Sequence, residues 1–109
     1  SWGKENRSQL IRIPAALGEY KRAELRSPDP LTNPYIAFAL LIYAALDGIE
    51  NGLILPKNED VNLYFANEDT LQNLQRLPET FAEARTLALD SPFIRAHVPQ
   101  AILNLYRNR

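Results

Sequence analysis

The sequence predicts an α+β chain: a short antiparallel β-hairpin followed by a bundle of four or five helices. Three observations carry this reading. Two proline-bounded stretches with strand character lie in the first 30 residues. An Asn33-Pro34 helix start precedes a long apolar run, and later cap residues each precede apolar positions at helical spacing.

Residues 8–13 read as a strand, with β-branched Ile11 and Ile13 and a stop at Pro14. Residues 22–26 read as a second, shorter strand, ended by Pro28 and Pro30. The stretch between them, 14–21, contains Gly18 and reads as a loop, so the two strands pair antiparallel. Asn33 is a good N-cap, and Pro34 falls at the first helical position, where its missing N–H costs nothing. Ile36, Leu40, Tyr43 and Ala44 share one helix face, while Phe38, Leu41, Ala45 and Leu46 cover much of the rest. A helix apolar nearly all round is expected to be buried. It should end at Asn51-Gly52.

Residues 53–66 form a connecting segment with Pro56, and Asn67 caps a short helix to about residue 74. Thr80 with Glu83 forms a capping box for a helix to about residue 89, with Phe81, Ala84, Leu87 and Ala88 expected to face inward. Ser91-Pro92 starts a short helix, and Pro99 opens a last one carrying Ile102, Leu103 and Tyr106.

At 109 residues the chain fits one domain, with 46% hydrophobic and 23% charged residues. A net charge of −1 gives no global reason to expect nucleic acid or an anionic membrane as partner. Without cysteine there is neither a disulfide framework nor a thiolate metal site, and the single histidine, His97, reads as a packing residue. The longest apolar run, 36–46, is far short of the ~20 residues that span a bilayer, and a cytoplasmic protein is expected. The absence of methionine, even at position 1, reads as a processed product, an engineered piece or a fragment of a longer protein.

Charge is unevenly spread. Residues 1–26 hold six basic residues against three acids, whereas the remainder holds six basic and ten acidic ones. This local cationic patch favours a small anionic ligand. In a strand Arg22, Glu24 and Arg26 would share a face, neighbours ~7 Å apart. That row reads either as a solvated face with internal ion pairing or as a carboxylate holding a hard cation between two anion-binding guanidiniums. Arg7 and Arg12, beside the first strand, would add two more guanidiniums to the same hairpin. Neither a phosphate-cradling glycine loop nor a Ser/His/Asp set is present.

Taken in order, Asn6-Arg7-Ser8-x-x-x-Arg12-Ile13-Pro14, Arg22-x-Glu24-x-Arg26-x-Pro28-Asp29-Pro30, Asn33-Pro34-Tyr35-x-Ala37-Phe38 and Leu46-Asp47-Gly48-Ile49 resemble the glutamine synthetase family. The resemblance is strong over residues 2–52. It implies the C-terminal part of the catalytic domain of an ATP-dependent ligase, bacterial type I-like, that joins glutamate and ammonia through γ-glutamyl phosphate. By position it implies that Glu24 helps bind Mg2+ or Mn2+, and that Arg26 contacts the glutamate carboxylate. It further implies that Arg7 and Arg12 lie near the transferred phosphoryl group and the ATP phosphates, with Arg22 on the nucleotide side. Tyr64 matches a tyrosine that some bacterial members modify, but the following Phe65-Ala66-Asn67 departs from the regulated pattern, and a packing role is expected. The resemblance also implies a homo-oligomer whose other metal ligands and neighbouring subunits complete the site, so the piece alone is expected to be inactive. Two other readings stand beside it: a γ-glutamyl-amine ligase of the same superfamily, and a non-catalytic binding or assembly module.

Overall fold

Local stereochemistry accounts for most of the elements found. The computed structural model describes residues 1–59 and 61–108. In chain order the elements are strands β1 (Trp2–Lys4), β2 (Ile11–Ile13) and β3 (Glu24–Leu25), then helices α1 (Pro34–Glu50), α2 (Glu68–Gln72), α3 (Phe81–Asp90), α4 (Pro92–His97) and α5 (Gln100–Arg107). They fall into two compact units, one of residues 1–31 with 54–75, the other of residues 32–53 with 76–109.

The first unit is built on a three-stranded sheet of order β1-β2-β3. The expected antiparallel pairing is present, with Ile11 opposite Leu25 and Arg12 opposite Glu24. The sequence reading did not contain β1, which adds to the hairpin in parallel, Trp2 opposite Ile11 and Lys4 opposite Ile13. Its three residues show no strand pattern of their own. They are held by Glu59, whose N–H donates to the Trp2 carbonyl at 2.9 Å, and by the Trp2 indole, which donates to the Pro56 carbonyl at 2.7 Å. Gly3 permits this approach: a Cβ there would stand 2.5 Å from the Glu59 carbonyl oxygen and 2.9 Å from Gln9 Cγ.

Both expected strands are shorter than read. Residues 6–9 leave the ladder because the Asn6 side chain closes a local turn, its Oδ1 accepting from the Ser8 N–H at 2.9 Å. Pairing nevertheless reaches one residue past each strand end, since the Arg26 N–H donates to the Leu10 carbonyl at 2.9 Å. A single 3-10 turn, Gly18–Tyr20, interrupts the hairpin loop.

In the second unit α1 begins as expected: Asn33 Oδ1 accepts from the N–H groups of Tyr35 and Ile36, and Pro34 opens the helix. It ends at Asn51, where Gly52 takes φ 58°, the left-handed conformation that glycine reaches without steric cost. The capping box of α3 is complete, with the Glu83 N–H to Thr80 Oγ1 and the Glu83 carboxylate to the Thr80 N–H. Ser91 caps α4 as expected, and Leu103, in α5, is buried.

Two expectations about burial are corrected. No residue of α1 is buried, because within the unit only a narrow side of this helix meets α4, and Phe38 remains 65% exposed. On α3 the half-buried positions are Ala84, Arg85, Ala88 and Leu89, the side of a helix that packs against α4 and α5. Phe81 stands in the helix's first turn and Leu87 off that side, and both are exposed. The apolar core among the described residues is thin: Val98 and Leu103 are its buried members. No helix among them is long and apolar enough to cross a membrane.

Candidate anion-binding site on the sheet

The register of β2 against β3 fixes the centre of the site. Because Arg12 lies directly opposite Glu24, and Arg26 lies two residues beyond Glu24 on the same strand face, both guanidiniums reach the one carboxylate. Arg12 Nη1 is 3.0 Å from Glu24 Oε2, and Arg26 Nη1 is 2.8 Å from Oε1. Arg12 is further steadied by donating from Nε to the Glu5 carbonyl at 3.2 Å. Glu5 has φ 61°, a conformation uncommon for a residue with a side chain. Its N–H donates to the Ile13 carbonyl at 3.2 Å, which closes the turn after β1.

The two arginines hold the Glu24 carboxyl below its ordinary pKa. The hydrogen bond from Arg26 is the largest cause, partial desolvation opposes it, and the charge and hydrogen bond of Arg12 add to it. Glu24 is therefore ionised at neutral pH and is an acceptor or ligand, not a proton donor. The chemistry available here is charge recognition: guanidiniums stay protonated and present a planar fork that fits carboxylate and phosphate.

Of the arginines read from the sequence, the fold brings Arg12 and Arg26 together on Glu24. Arg22 does not join them, since its Nη1 donates to the Tyr20 carbonyl at 3.2 Å across the 3-10 turn. Arg7 is exposed and makes no hydrogen bond or ion pair with any described residue. Two guanidiniums thus share one carboxylate, an excess of positive charge that an anion would offset.

A divalent cation would find one suitable donor here. Each Glu24 oxygen accepts a single guanidinium hydrogen bond, which leaves lone-pair capacity on both. Among the described residues there is no group of three His, Cys, Asp or Glu that could hold a metal. The described residues fit a share in such a centre.

His97 is a packing residue, as expected. Its ring lies 4.2 Å from the Tyr43 ring and 4.6 Å from the Phe93 ring, centroid to centroid, with Nδ1 2.9 Å from the Phe93 carbonyl oxygen. Tyr64 is not: it is 75% exposed, lifted by a turn in which its N–H donates to Asn62 Oδ1 and the Phe65 N–H donates to the Asn62 carbonyl. The sequence reading missed the supporting roles of Asn6, Ser8 and Gln9. An Asn two residues before a Ser is the one local signal for the turn they make.

The family model described as “Glutamine synthetase, catalytic domain” matches residues 1–108. The chain is 37% identical to a glutamine synthetase of Methanosarcina mazei over 108 residues, which covers 97% of this chain and 24% of that protein. It is 36% identical over 110 residues to glutamine synthetases of Staphylococcus aureus and Staphylococcus epidermidis, covering 99% of this chain and 25% of each relative. The chain spans about a quarter of the length of the curated relatives it matches.

Proposed function

The chain belongs to the glutamine synthetase family, and from that premise we propose that it forms the C-terminal part of the catalytic domain of a cytoplasmic, homo-oligomeric, ATP-dependent glutamate–ammonia ligase. Its part is the phosphate- and glutamate-facing side of the site. The observation that carries this reading is Glu24 held between Arg12 and Arg26 on one sheet face, the same residues on which the sequence resembles the family.

The reaction has two steps. A γ-carboxylate oxygen of glutamate attacks the γ-phosphorus of ATP and ADP leaves; ammonia then attacks the γ-carbonyl carbon and phosphate leaves. Both steps move negative charge between oxygens, and fixed cations lower the barrier by meeting that charge where it develops. Arg26 binds the glutamate carboxylate, Arg12 and Arg22 bind ATP phosphates, and Arg7 faces the phosphoryl group in transfer. Glu24 contributes one oxygen to Mg2+ or Mn2+, with the remaining donors supplied from outside these residues. A cation bound there supplies charge neutralisation to the phosphates. Glu24 also sets the angle between Arg12 and Arg26, because each donates to a different one of its oxygens.

In the full-length enzyme, Arg26→Ala should cut turnover on the order of 10²–10³-fold while leaving assembly intact. Near-normal turnover together with unchanged glutamate affinity would show the assignment of Arg26 to be wrong.

A further inference from the structure

Arg7 combines a side chain with no partner among the described residues and a backbone that is held on both sides. Immediately before it, Asn6 Oδ1 accepts from both the N–H and the Oγ of Ser8, each at 2.9 Å, which bridges across Arg7 itself. The other end of the same amide donates from Nδ2 to the Val61 carbonyl at 2.9 Å. Ser8 Oγ in turn accepts from the Leu63 N–H at 2.8 Å. Gln9 completes the set, its Nε2 donating to the Val61 carbonyl at 3.1 Å.

Gln9 is 1% exposed, and its Oε1 has no hydrogen-bond partner among the described residues. Its Nε2 gives the Val61 carbonyl, which already accepts from Asn6, a second tie to the same loop. Three consecutive polar contacts therefore tie the loop around Arg7 to a backbone segment more than 50 residues away.

We propose that Asn6, Ser8 and Gln9 are positioning residues for Arg7: by docking residues 6–9 onto residues 61–63 they preset the backbone from which the Arg7 guanidinium meets an anionic phosphoryl group. The proposal rests on the reading of Arg7 given above. Fixing the backbone while leaving the side chain without a partner among the described residues delivers a charge in place without first breaking an ion pair to any of them. Misplacement of a catalytic group by about 1 Å can cost on the order of 10²-fold in rate.

The test is a double-mutant cycle in the full-length enzyme, with kcat, KM for ATP, thermal stability and assembly measured for each variant. Asn6→Ala and Ser8→Ala should each lower kcat/KM for ATP by on the order of 10- to 10²-fold. The same substitutions made on top of Arg7→Ala should cost less than about twofold, because residues acting as one unit are not additive. Ser8→Thr, which retains the hydroxyl, should restore most of the loss. Asn6→Asp, which retains Oδ1 but not the Nδ2 donor, should fall between Asn6→Ala and the unaltered enzyme. Equal losses with and without Arg7 would overturn the proposal, as would a Ser8→Thr variant as impaired and as unstable as Ser8→Ala. If Arg7→Ala is crippled while Asn6→Ala and Ser8→Ala turn over normally, the positioning role alone fails. If Arg7→Ala itself turns over normally, the reading of Arg7 fails and this inference with it.

Discussion

In the sheet unit, side chains of Asn6, Ser8 and Gln9 reach backbone groups 52 to 55 residues away. In the helical unit, the cap side chains of Asn33, Thr80 and Ser91 reach partners two or three residues away. Both regions leave large apolar side chains uncovered, among them Leu17, Ile54 and Phe65 in the sheet unit and Phe38, Ile42 and Ile49 of α1. The sheet in addition places Arg12 and Arg26 against Glu24, whereas the helices settle only their own ends. The difference teaches that local satisfaction and global burial are separate requirements. Capping makes α1 a well-formed helix, but only neighbouring elements can bury it.

The largest effect expected from this contrast concerns the 109-residue chain by itself. It should make no glutamine from glutamate, ammonia and ATP with Mg2+ or Mn2+, since Glu24 is one metal donor among several that such a site needs. Its open apolar faces should also drive self-association. Light scattering over a concentration series, beside an assay for γ-glutamyl transfer, measures both. A fully active, concentration-independent monomer would break the comparison, because the open helix faces would then need no cover.

A smaller effect sharpens it. Phe38→Ala in the full-length protein should destabilise by about 3–5 kcal/mol, the range for truncating a buried aromatic. In the 109-residue chain the same change should stay within about 0.5 kcal/mol, since Phe38 is largely exposed there. Denaturant unfolding of both pairs gives the two differences. Equal values would mean that α1 meets the same surroundings in the short and the long chain.

Much of the helical unit was legible because its signals are local. Asn33-Pro34, Thr80 with Glu83, and Ser91-Pro92 each announce a helix start within four residues, and each helix begins there. Which side of a helix is covered depends on what else is present, so Leu87 was misjudged from periodicity alone. In the sheet unit, Arg12, Glu24 and Arg26 were legible as a group because strand alternation and motif spacing agree. β1 was not, since three residues held by Pro56 and Glu59 carry no pattern without their distant partners. The support beneath Arg7 escaped notice for the same reason: Val61 and Leu63 take part through backbone atoms, which any sequence would provide.

The smallest effect is a titration, and it probes the sheet without disturbing the helices. The hydrogen bond from Arg26 foremost, and then the charge and hydrogen bond of Arg12, lower the Glu24 pKa, while partial desolvation raises it. A carboxyl whose pKa is lower folded than unfolded binds fewer protons in the folded state, so stability rises with pH through this window. The contribution is therefore fully present above the ordinary glutamate value. It fades as the pH falls through the lowered value in the folded state. Because the pair is open to water, the effect on overall stability should be slight and weaker still at high salt. The carboxyl resonance of Glu24, followed by NMR from neutral to acid pH, should show a midpoint below the ordinary glutamate value. Arg26→Ala should move the midpoint upward more than Arg12→Ala does, because the Arg26 hydrogen bond is the larger cause. If Glu24 instead titrates at the ordinary glutamate value, and neither arginine substitution moves it, the two guanidiniums are not held on that carboxylate in solution. The sheet's charges would then be as unsettled as the apolar faces of the helices.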